Sequence, residues 1–89
     1  MAGQPHIVAY VKSYCGWTPG VRAVLRKYEL QYEERDVSRD PEQFAEMVRK
    51  TGQSAAPCVE IDGHMLVDVG GDEVEAWLIA QGIVQGQAP

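Results

Sequence analysis

The sequence predicts an α/β fold in which a mixed four-stranded sheet is covered by three helices, in the order β-α-β-α-β-β-α. The apolar run Ile7–Val11 is followed by a helical pattern and a second strand pattern. Such a strand–helix–strand unit requires a right-handed crossover and a parallel strand pair. Two further strand-like runs flank Asp62-Gly63-His64, a compact turn that joins antiparallel strands. The mixture of both pairings, with amphipathic helices between the strands, predicts helices on both faces.

The length favours one domain, residues 1–89, without repeats or linkers. A chain of 89 residues lies near the lower end of what buries an adequate core alone. We expect the core to span about residues 6–84. The termini, including the tail Gln85–Pro89, are expected to fray.

The first strand and helix are the clearest elements. Ile7–Val11 is nearly continuous in apolar and β-branched residues, which is typical of a strand buried on both faces. After the loop Lys12–Trp17, Thr18 is predicted to be the N-cap of a helix with Pro19 in its first turn. One face of that helix is apolar, formed by Val21, Val24, Leu25 and Tyr28.

The second strand and helix follow directly. Gln31–Val37 is interpreted as a more exposed strand, because its apolar positions stand among charges. Asp40 and Pro41 then predict a helix start, with Gln43 at the capping-box position. Thr51-Gly52 predicts the end of this helix.

The last elements are a hairpin and a helix. Pro57–Ile61 and Met65–Val69 are the two predicted hairpin strands. Asp72 is predicted to cap the third helix, with Glu75 at the capping-box position. Val74, Trp77 and Leu78 are expected to face the core.

Composition excludes several classes of protein. The net charge of −5 and the absence of a basic patch argue against nucleic acid or an anionic membrane as partner. Met1–Ile7 lacks the pattern of a signal peptide, and no apolar run is long enough for a membrane span. Two cysteines are too few for a secreted disulfide scaffold. A reducing cytoplasm is therefore the expected location.

A protein-only metal site is not expected. The residues that could ligate zinc show no paired ligand spacing; they are His6, Cys15, Cys58 and His64. We interpret the two histidines as surface residues, one on the N-terminal arm and one in the hairpin turn.

Cys15 is the candidate reactive residue, because it stands between a buried strand and a helix start. The thiolate is the nucleophilic form of cysteine, and free N–H groups at a helix N-terminus stabilise negative charge. Lys12 adds a cation three residues earlier. Gly16 allows close backbone approach by a partner, and the Thr18 hydroxyl is a candidate donor to the thiolate. A structural buried cysteine is the alternative interpretation.

Four segments resemble glutaredoxins, which have the thioredoxin-like fold, over roughly residues 6 to 80. Lys12–Cys15 is similar to the family's lysine three residues before its reactive cysteine, and Cys15–Thr18 resembles the monothiol C-G-F-S site. Thr51–Pro57 resembles the T-G-x-x-x-V-P segment, whose proline is cis. Gly70–Glu73 resembles the G-[C/S]-D-D stretch that opens the last helix. The four occur in order at matching separations.

The resemblance implies a glutathione site that begins at the reactive loop. Lys12 would pair with the glycine carboxylate of glutathione, unless it is an ordinary surface lysine. Ala56, before the cis Pro57, would pair its backbone with the cysteinyl part. Trp17 would wall one side of the groove, unless it is simply packed.

The same resemblance places the γ-glutamyl end at the start of the last helix. Free N–H groups near Gly71 would bind its carboxylate. Its ammonium group would face the carboxylate of Asp72. That aspartate is also a plausible N-cap residue, and it could perform both roles.

The sequence departs from the family's pattern in three ways. First, Thr18 stands where the second cysteine of C-x-x-C would be. Second, the chain lacks both the longer stretch between lysine and cysteine and the Trp-Pro pair near the cis proline that C-G-F-S members have, and its spacing of Lys12 to Cys15 is that of dithiol members. The third departure is at position 58. Cys58 directly follows Pro57, and it is either a small buried core residue or an unusual resolving cysteine near Cys15.

Three functions compete. The leading hypothesis is a glutathione-dependent thiol–disulfide oxidoreductase, which reduces mixed disulfides of glutathione with protein substrates through Cys15, as a monomer. The second is an iron–sulfur carrier, in which Cys15 of two chains and two glutathiones hold a [2Fe–2S] cluster in a dimer. The third is a non-catalytic adaptor, which the set Lys12, Cys15 and Asp72 disfavours.

Overall fold

A computed structural model describes residues 5–84 of the chain. The tail Gln85–Pro89 lies outside the described residues, and so do the first four. The predicted fraying of the two ends therefore stays a prediction. In residues 5–84, no helix has the length and apolar character needed to cross a membrane.

The described chain forms four strands and three helices in the predicted order. Their bounds are β1 Ile7–Val11, α1 Thr18–Lys27, β2 Glu33–Asp36, α2 Pro41–Thr51, β3 Cys58–Ile61, β4 His64–Leu66 and α3 Gly71–Ala80.

The four strands make one mixed sheet in the order β2-β1-β3-β4. β1 runs parallel to β2, so that Val11 lies opposite Asp36. It runs antiparallel to β3, with Tyr10 opposite Cys58. β3 and β4 are antiparallel neighbours, joined by the tight turn that contains Gly63. The predicted α/β fold, with its mixed sheet, is confirmed.

Each face of the sheet has its own core. On one face, alternate residues of β1 pack against α1 and α3; the buried side chains are Ile7, Ala9, Val11, Val21, Val24, Leu25, Val59, Ile61, Val69, Val74 and Leu78. On the other face, the remaining β1 residues pack against α2; the buried side chains are Val8, Tyr10, Val37, Met47, Ala56 and Cys58. The period of two along β1 explains this division.

Three loops lie together at one edge of the sheet, where the strands begin or end. β1 and β4 end there, and β3 begins there, because β3 is antiparallel to both. The Val69 N–H donates to the Pro57 carbonyl at 2.9 Å and ties two of these loops together. The edge therefore carries residues 12–17, 52–57 and 67–70.

Two predicted helix starts need correction. Trp17, rather than Thr18, occupies the N-cap of α1, and Thr18 is the first helical residue. α3 begins at Gly71 with Gly70 at its N-cap, so Asp72 is inside the helix. The Glu73 carboxylate accepts a hydrogen bond from the Gly70 N–H at 3.0 Å. Glycine has no side chain to signal a cap, which is why the start was misplaced.

α2 matches its prediction except at the capping box. The Asp40 carboxylate accepts from the Glu42 N–H at 3.0 Å, and Gly52 closes the helix with a φ of 76°. Gln43 does not complete the box. Its side-chain oxygen accepts instead from the Arg35 guanidinium at 3.2 Å, because a charged donor on β2 is within reach.

Three strands are shorter than predicted. β2 covers Glu33–Asp36 only, and β3 begins at Cys58 rather than at Pro57. β4 ends at Leu66, and residues 67–69 leave the strand. Asp68 has a φ of 56°, a left-handed conformation that an extended strand does not contain.

Candidate functional site

Cys15 lies in the loop between β1 and α1, and this loop begins at Lys12. Its N–H donates to the Lys12 carbonyl at 3.0 Å, and its own carbonyl accepts from the Thr18 N–H at 3.1 Å. These bonds fold the loop into consecutive turns that lead directly into α1. The side chain is partly exposed and the thiol is free. Cys15 is therefore a reachable thiol beside a helix N-terminus.

Thr18 supports this loop in a way that differs from the expectation. Its side chain is fully buried, and its hydroxyl donates to the Lys12 carbonyl at 2.8 Å. The expected hydrogen bond from this hydroxyl to the Cys15 sulfur is absent from the described contacts. Thr18 instead holds the ends of the reactive loop together.

Lys12 is half-buried at the end of β1. Its carbonyl accepts both the Cys15 N–H and the Thr18 hydroxyl. Within residues 5–84, its ammonium group takes part in no ion pair. The cation therefore remains available to an anionic ligand.

A groove of about 610 Å³ lies between the reactive loop, α1 and the start of α3. Gly16 and Trp17 line one side, and Gly70 to Glu73 line the other. Trp17 is 53% exposed, and its indole lies 3.9 Å from the place where a side chain on Gly70 would begin. The structure thus brings the predicted Trp17, Gly71 and Asp72 together on one groove.

The groove depends on a close crossing of α1 and α3. A Cβ atom placed on Gly71 would lie 2.5 Å from the Gly20 carbonyl oxygen and 3.2 Å from a Val24 methyl group. Only a glycine fits at position 71. This crossing sets the N-terminal turns of the two helices side by side, with their free N–H groups at the groove.

The loop before β3 supplies the remaining predicted residues. The Ala56–Pro57 peptide bond is cis, which confirms that expectation. Both residues are buried, and the Pro57 carbonyl is held by Val69. Ala56 and Pro57 therefore lie at the same sheet edge as the Cys15 loop.

Cys58 belongs to the core under α2. It is fully buried, and its thiol donates to the Ala55 carbonyl at 3.1 Å. Burial raises the pKa of the Cys58 thiol, which disfavours the nucleophilic thiolate. Both cysteines are free thiols. This geometry favours the core interpretation of Cys58 over the resolving one.

The sequence interpretation missed Gln53, whose side chain bridges the loop before Pro57. Its carbonyl oxygen accepts from the Ala55 N–H at 2.7 Å, and its amide donates to the Ala55 carbonyl at 3.0 Å. The only sequence signal was its place in the Thr51–Pro57 segment. The resemblance assigns no role to this position.

The two histidines lie away from the groove. His6 is exposed, and its N–H donates to the Asp62 carboxylate at 2.8 Å. His64, also exposed, belongs to β4 rather than to the turn, and its ring stacks on Trp77 with 4.8 Å between centroids. Residues 5–84 contain no group of three histidine, cysteine or acidic side chains that could hold a metal ion.

Comparison with known proteins identifies the family. The glutaredoxin family model matches residues 7–66, which is more than half of the chain. An uncharacterized monothiol glutaredoxin of Caenorhabditis elegans is 33% identical over 75 residues, covering 79% of this chain and 49% of the relative. The chain thus spans about half the length of this curated relative.

Solved structures share the fold. The thioredoxin-like protein BC3987, in a mutant form, superimposes with a TM-score of 0.72 at 24% identity, over 81% of this chain and 97% of the other. A buckwheat glutaredoxin–glutathione complex gives 0.67 at 23% identity, over 88% and 71%. These structures share the fold, and the match of the glutaredoxin family model to residues 7–66 shows that the chain belongs to the glutaredoxin family.

Proposed function

We propose that this protein is a glutathione-dependent thiol–disulfide oxidoreductase that works through Cys15 alone. The observation that carries the proposal is the position of Cys15, a partly exposed thiol beside a groove and a helix N-terminus. Cys58, the other cysteine, is buried with a raised pKa. A single usable thiol suits a monothiol reaction.

In the proposed reaction, the Cys15 thiolate attacks the glutathionyl sulfur of a protein–glutathione mixed disulfide. The substrate's S–S bond breaks, its protein sulfur leaves as a thiolate and takes up a proton, and a Cys15–glutathione disulfide forms. The thiolate of a second glutathione then attacks the glutathionyl sulfur of that disulfide. Oxidised glutathione leaves and the Cys15 thiolate is restored, so the net reaction converts the protein–glutathione disulfide and one glutathione thiol into a protein thiol and oxidised glutathione.

Each part of glutathione has a candidate partner in the groove or on the loops beside it. Outside the groove lining, the Lys12 ammonium would pair with the glycine carboxylate, and the Ala56 backbone would pair with the cysteinyl part. The N–H groups near Gly71 suit the γ-glutamyl carboxylate, and Asp72 suits its ammonium. Trp17 forms the exposed wall. The buckwheat glutaredoxin that shares this fold was solved as a glutathione complex, which supports the assignment.

The test is reduction of a β-hydroxyethyl disulfide–glutathione mixed disulfide, with oxidised glutathione followed by a coupled reductase. Cys15→Ser is expected to fall to the rate without protein, because the hydroxyl does not form the required thiolate at neutral pH. Ser13→Ala, an exposed change in the same loop, is the matched control and should keep wild-type activity. Equal rates for wild type and Cys15→Ser would overturn the proposal.

A second candidate function is a [2Fe–2S] carrier. The chain contributes one reachable thiol, and residues 5–84 contain no cluster of three metal-binding side chains. Cys15 could therefore supply one ligand, while glutathione and a second chain would supply the others. Anaerobic reconstitution with glutathione, followed by visible spectra and sizing, tests this role. A colourless monomer would count against it.

The proposed setting follows from the thiols. Free cysteines and a glutathione substrate suit a reducing compartment, and we propose the cytoplasm. The protein partners are substrates that carry glutathione or a disulfide. In the oxidoreductase role the chain would act as a monomer, whereas the cluster role requires a dimer.

A further inference from the structure

The loop Gly52–Ala56, which leads to Pro57, is closed by one side chain. Gln53 folds back over Ala55, so that its oxygen accepts the Ala55 N–H at 2.7 Å and its nitrogen donates to the Ala55 carbonyl at 3.0 Å. Both backbone groups of Ala55 are therefore satisfied by the same amide. Such a two-point contact fixes orientation more firmly than a single hydrogen bond.

Cys58 adds a second donor from the first residue of β3. Its thiol donates to the same Ala55 carbonyl at 3.1 Å, and its sulfur lies 3.6 Å from the Gln53 nitrogen. Cys58 cannot move easily, because it is fully buried in the core under α2. The Ala55 carbonyl is thus held from two sides, one of them rigid.

Gln53 is itself anchored to the end of α2. Its nitrogen lies 3.2 Å from the Thr51 hydroxyl oxygen, and that hydroxyl donates to the Met47 carbonyl at 2.8 Å. Met47 is a fully buried residue of α2. Polar contacts therefore run from α2 through Gln53 to Ala55 and β3.

Fixing the Ala55 carbonyl also fixes the Ala56 N–H. The two groups belong to one planar peptide unit, and in a trans peptide they point in opposite directions. The cis bond of this loop is Ala56–Pro57, and the preceding Ala55–Ala56 bond is trans. Among the hydrogen bonds of residues 5–84, none uses the Ala56 N–H, although Ala56 is buried. The Ala56 N–H therefore has no hydrogen-bond partner among the described residues and can donate to a ligand.

We propose that Gln53 and Cys58 are positioning residues, which orient the Ala55–Ala56 peptide so that the Ala56 backbone can pair with the cysteinyl part of glutathione. This inference rests on the proposed function. It gives Cys58 a role that needs neither a disulfide nor a thiolate. It also explains why a buried cysteine with a hydrogen-bonded thiol directly follows the proline.

The first test replaces Gln53 with residues of similar size. Gln53→Met removes the acceptor and the donor, and we expect KM for the glutathionylated substrate to rise about three- to tenfold, as for the loss of one or two hydrogen bonds. The kcat should stay within about twofold, because Cys15 is untouched. Gln53→Glu keeps the acceptor for the Ala55 N–H and should give an intermediate KM. Ser54→Ala, exposed in the same loop, is the matched control with unchanged KM.

Cys58 is tested by a pair of variants that differ in hydrogen bonding. Cys58→Ser keeps a donor for the Ala55 carbonyl, whereas Cys58→Ala removes it. We expect Cys58→Ala to raise KM about threefold and Cys58→Ser to stay closer to wild type. A resolving cysteine would behave differently, because serine and alanine would then be equally defective. A purely structural role would lower Tm without separating KM from kcat.

Amide hydrogen exchange supplies a readout that needs no turnover. Exchange of the Ala55 N–H is expected to accelerate at least about tenfold in Gln53→Met, since its acceptor is gone. Unchanged exchange, or faster exchange with unchanged KM, overturns this inference. An inactive wild type overturns the proposed function instead, and exchange then decides whether Gln53 holds the loop.

Discussion

The two faces of the sheet are held by different physical forces. The face under α1 and α3 is packed with apolar side chains and brings two helix backbones together at Gly20 and Gly71. The face under α2 combines its apolar core with a charged group that we call the α2-face network. Its members are Tyr10, Arg35, Glu46, Lys50 and Glu60.

Glu46 is the centre of the α2-face network. Its carboxylate accepts from the buried Tyr10 hydroxyl at 2.5 Å and from the Arg35 guanidinium at 3.0 Å. Lys50 joins the Tyr10 hydroxyl and the Glu60 carboxylate, each at 3.1 Å. One nitrogen of Arg35, Nε, is buried without a partner in the described residues. Contacts of this kind depend on pH and salt.

The two faces differ in their relation to the candidate site. The proposed groove belongs to the apolar face, where shape and close approach decide whether it exists. The polar face holds α2, from whose end the loop with Gln53 starts. We therefore expect steric changes to damage the first face most, and charge changes to act on the second.

The largest effect on stability is expected for Gly71→Ala. Its new Cβ would lie 2.5 Å from a backbone oxygen of Gly20, so the helices must separate, at a cost of about 3 kcal/mol. Urea denaturation measures this change. The matched control is Gly20→Ala, whose Cβ would lie 3.6 Å from the Gly71 nitrogen. Since an ordinary contact costs nothing and alanine favours a helix, that variant should equal or exceed wild-type stability. Equal stability of the two variants would refute the crossing.

A smaller effect is expected for Glu46→Gln on the opposite face. The neutral amide weakens the contacts with Tyr10 and Arg35, and we expect a loss of about 2 kcal/mol, typical of hydrogen bonds to a charged group. Glu34→Gln is the control. It removes an ion pair with Arg22 whose side chains are each 33% exposed, and such pairs contribute about 0–1 kcal/mol. Similar losses for both variants would mean that the network adds nothing beyond a surface pair.

The smallest effect is the pH dependence of the stability difference between wild type and Glu46→Gln. The Tyr10 hydrogen bond lowers the pKa of Glu46 below its ordinary value of 4.5. Stability from Glu46 is thus fully present above 4.5 and is lost as pH falls through the lower folded value. The stability gap between wild type and Glu46→Gln should therefore shrink between about pH 6 and about pH 3. Urea denaturation across this range checks it, and a gap that widens on acidification would contradict the sign.

The sequence predicted correctly those elements whose bounds depend on residues close by in the chain. β1 has the predicted bounds because a β-branched apolar run has no competing structure. α2 has its predicted ends because both signals are local. The Asp40 side chain caps the first turn, and Gly52 adopts the left-handed conformation that ends the helix. The start of α3 was misplaced by two residues, with the N-cap at Gly70 rather than at Asp72, because Gly71 is dictated by the neighbouring helix rather than by a capping side chain.

The candidate site also contains features that were expected from the sequence and features that were not. The motif around Cys15 and the cis bond at Pro57 were expected from the family resemblance, and the sulfur is reachable as expected. The part played by Thr18 was different, since its hydroxyl donates to the Lys12 carbonyl rather than to the thiol. Gln53 was not found at all, because its partners are set by the path of a loop.

The sequence by itself determined the order of strands and helices, the candidate reactive cysteine and the absence of a second thiol in its motif. These depend on residue type and on neighbours a few positions away. Only the tertiary structure decided which residues share the groove, that Cys58 faces the core under α2, and that Gly20 and Gly71 touch. Such contacts join residues that are far apart in the chain, as Gly20 and Gly71 are, and only packing of both sheet faces brings them together.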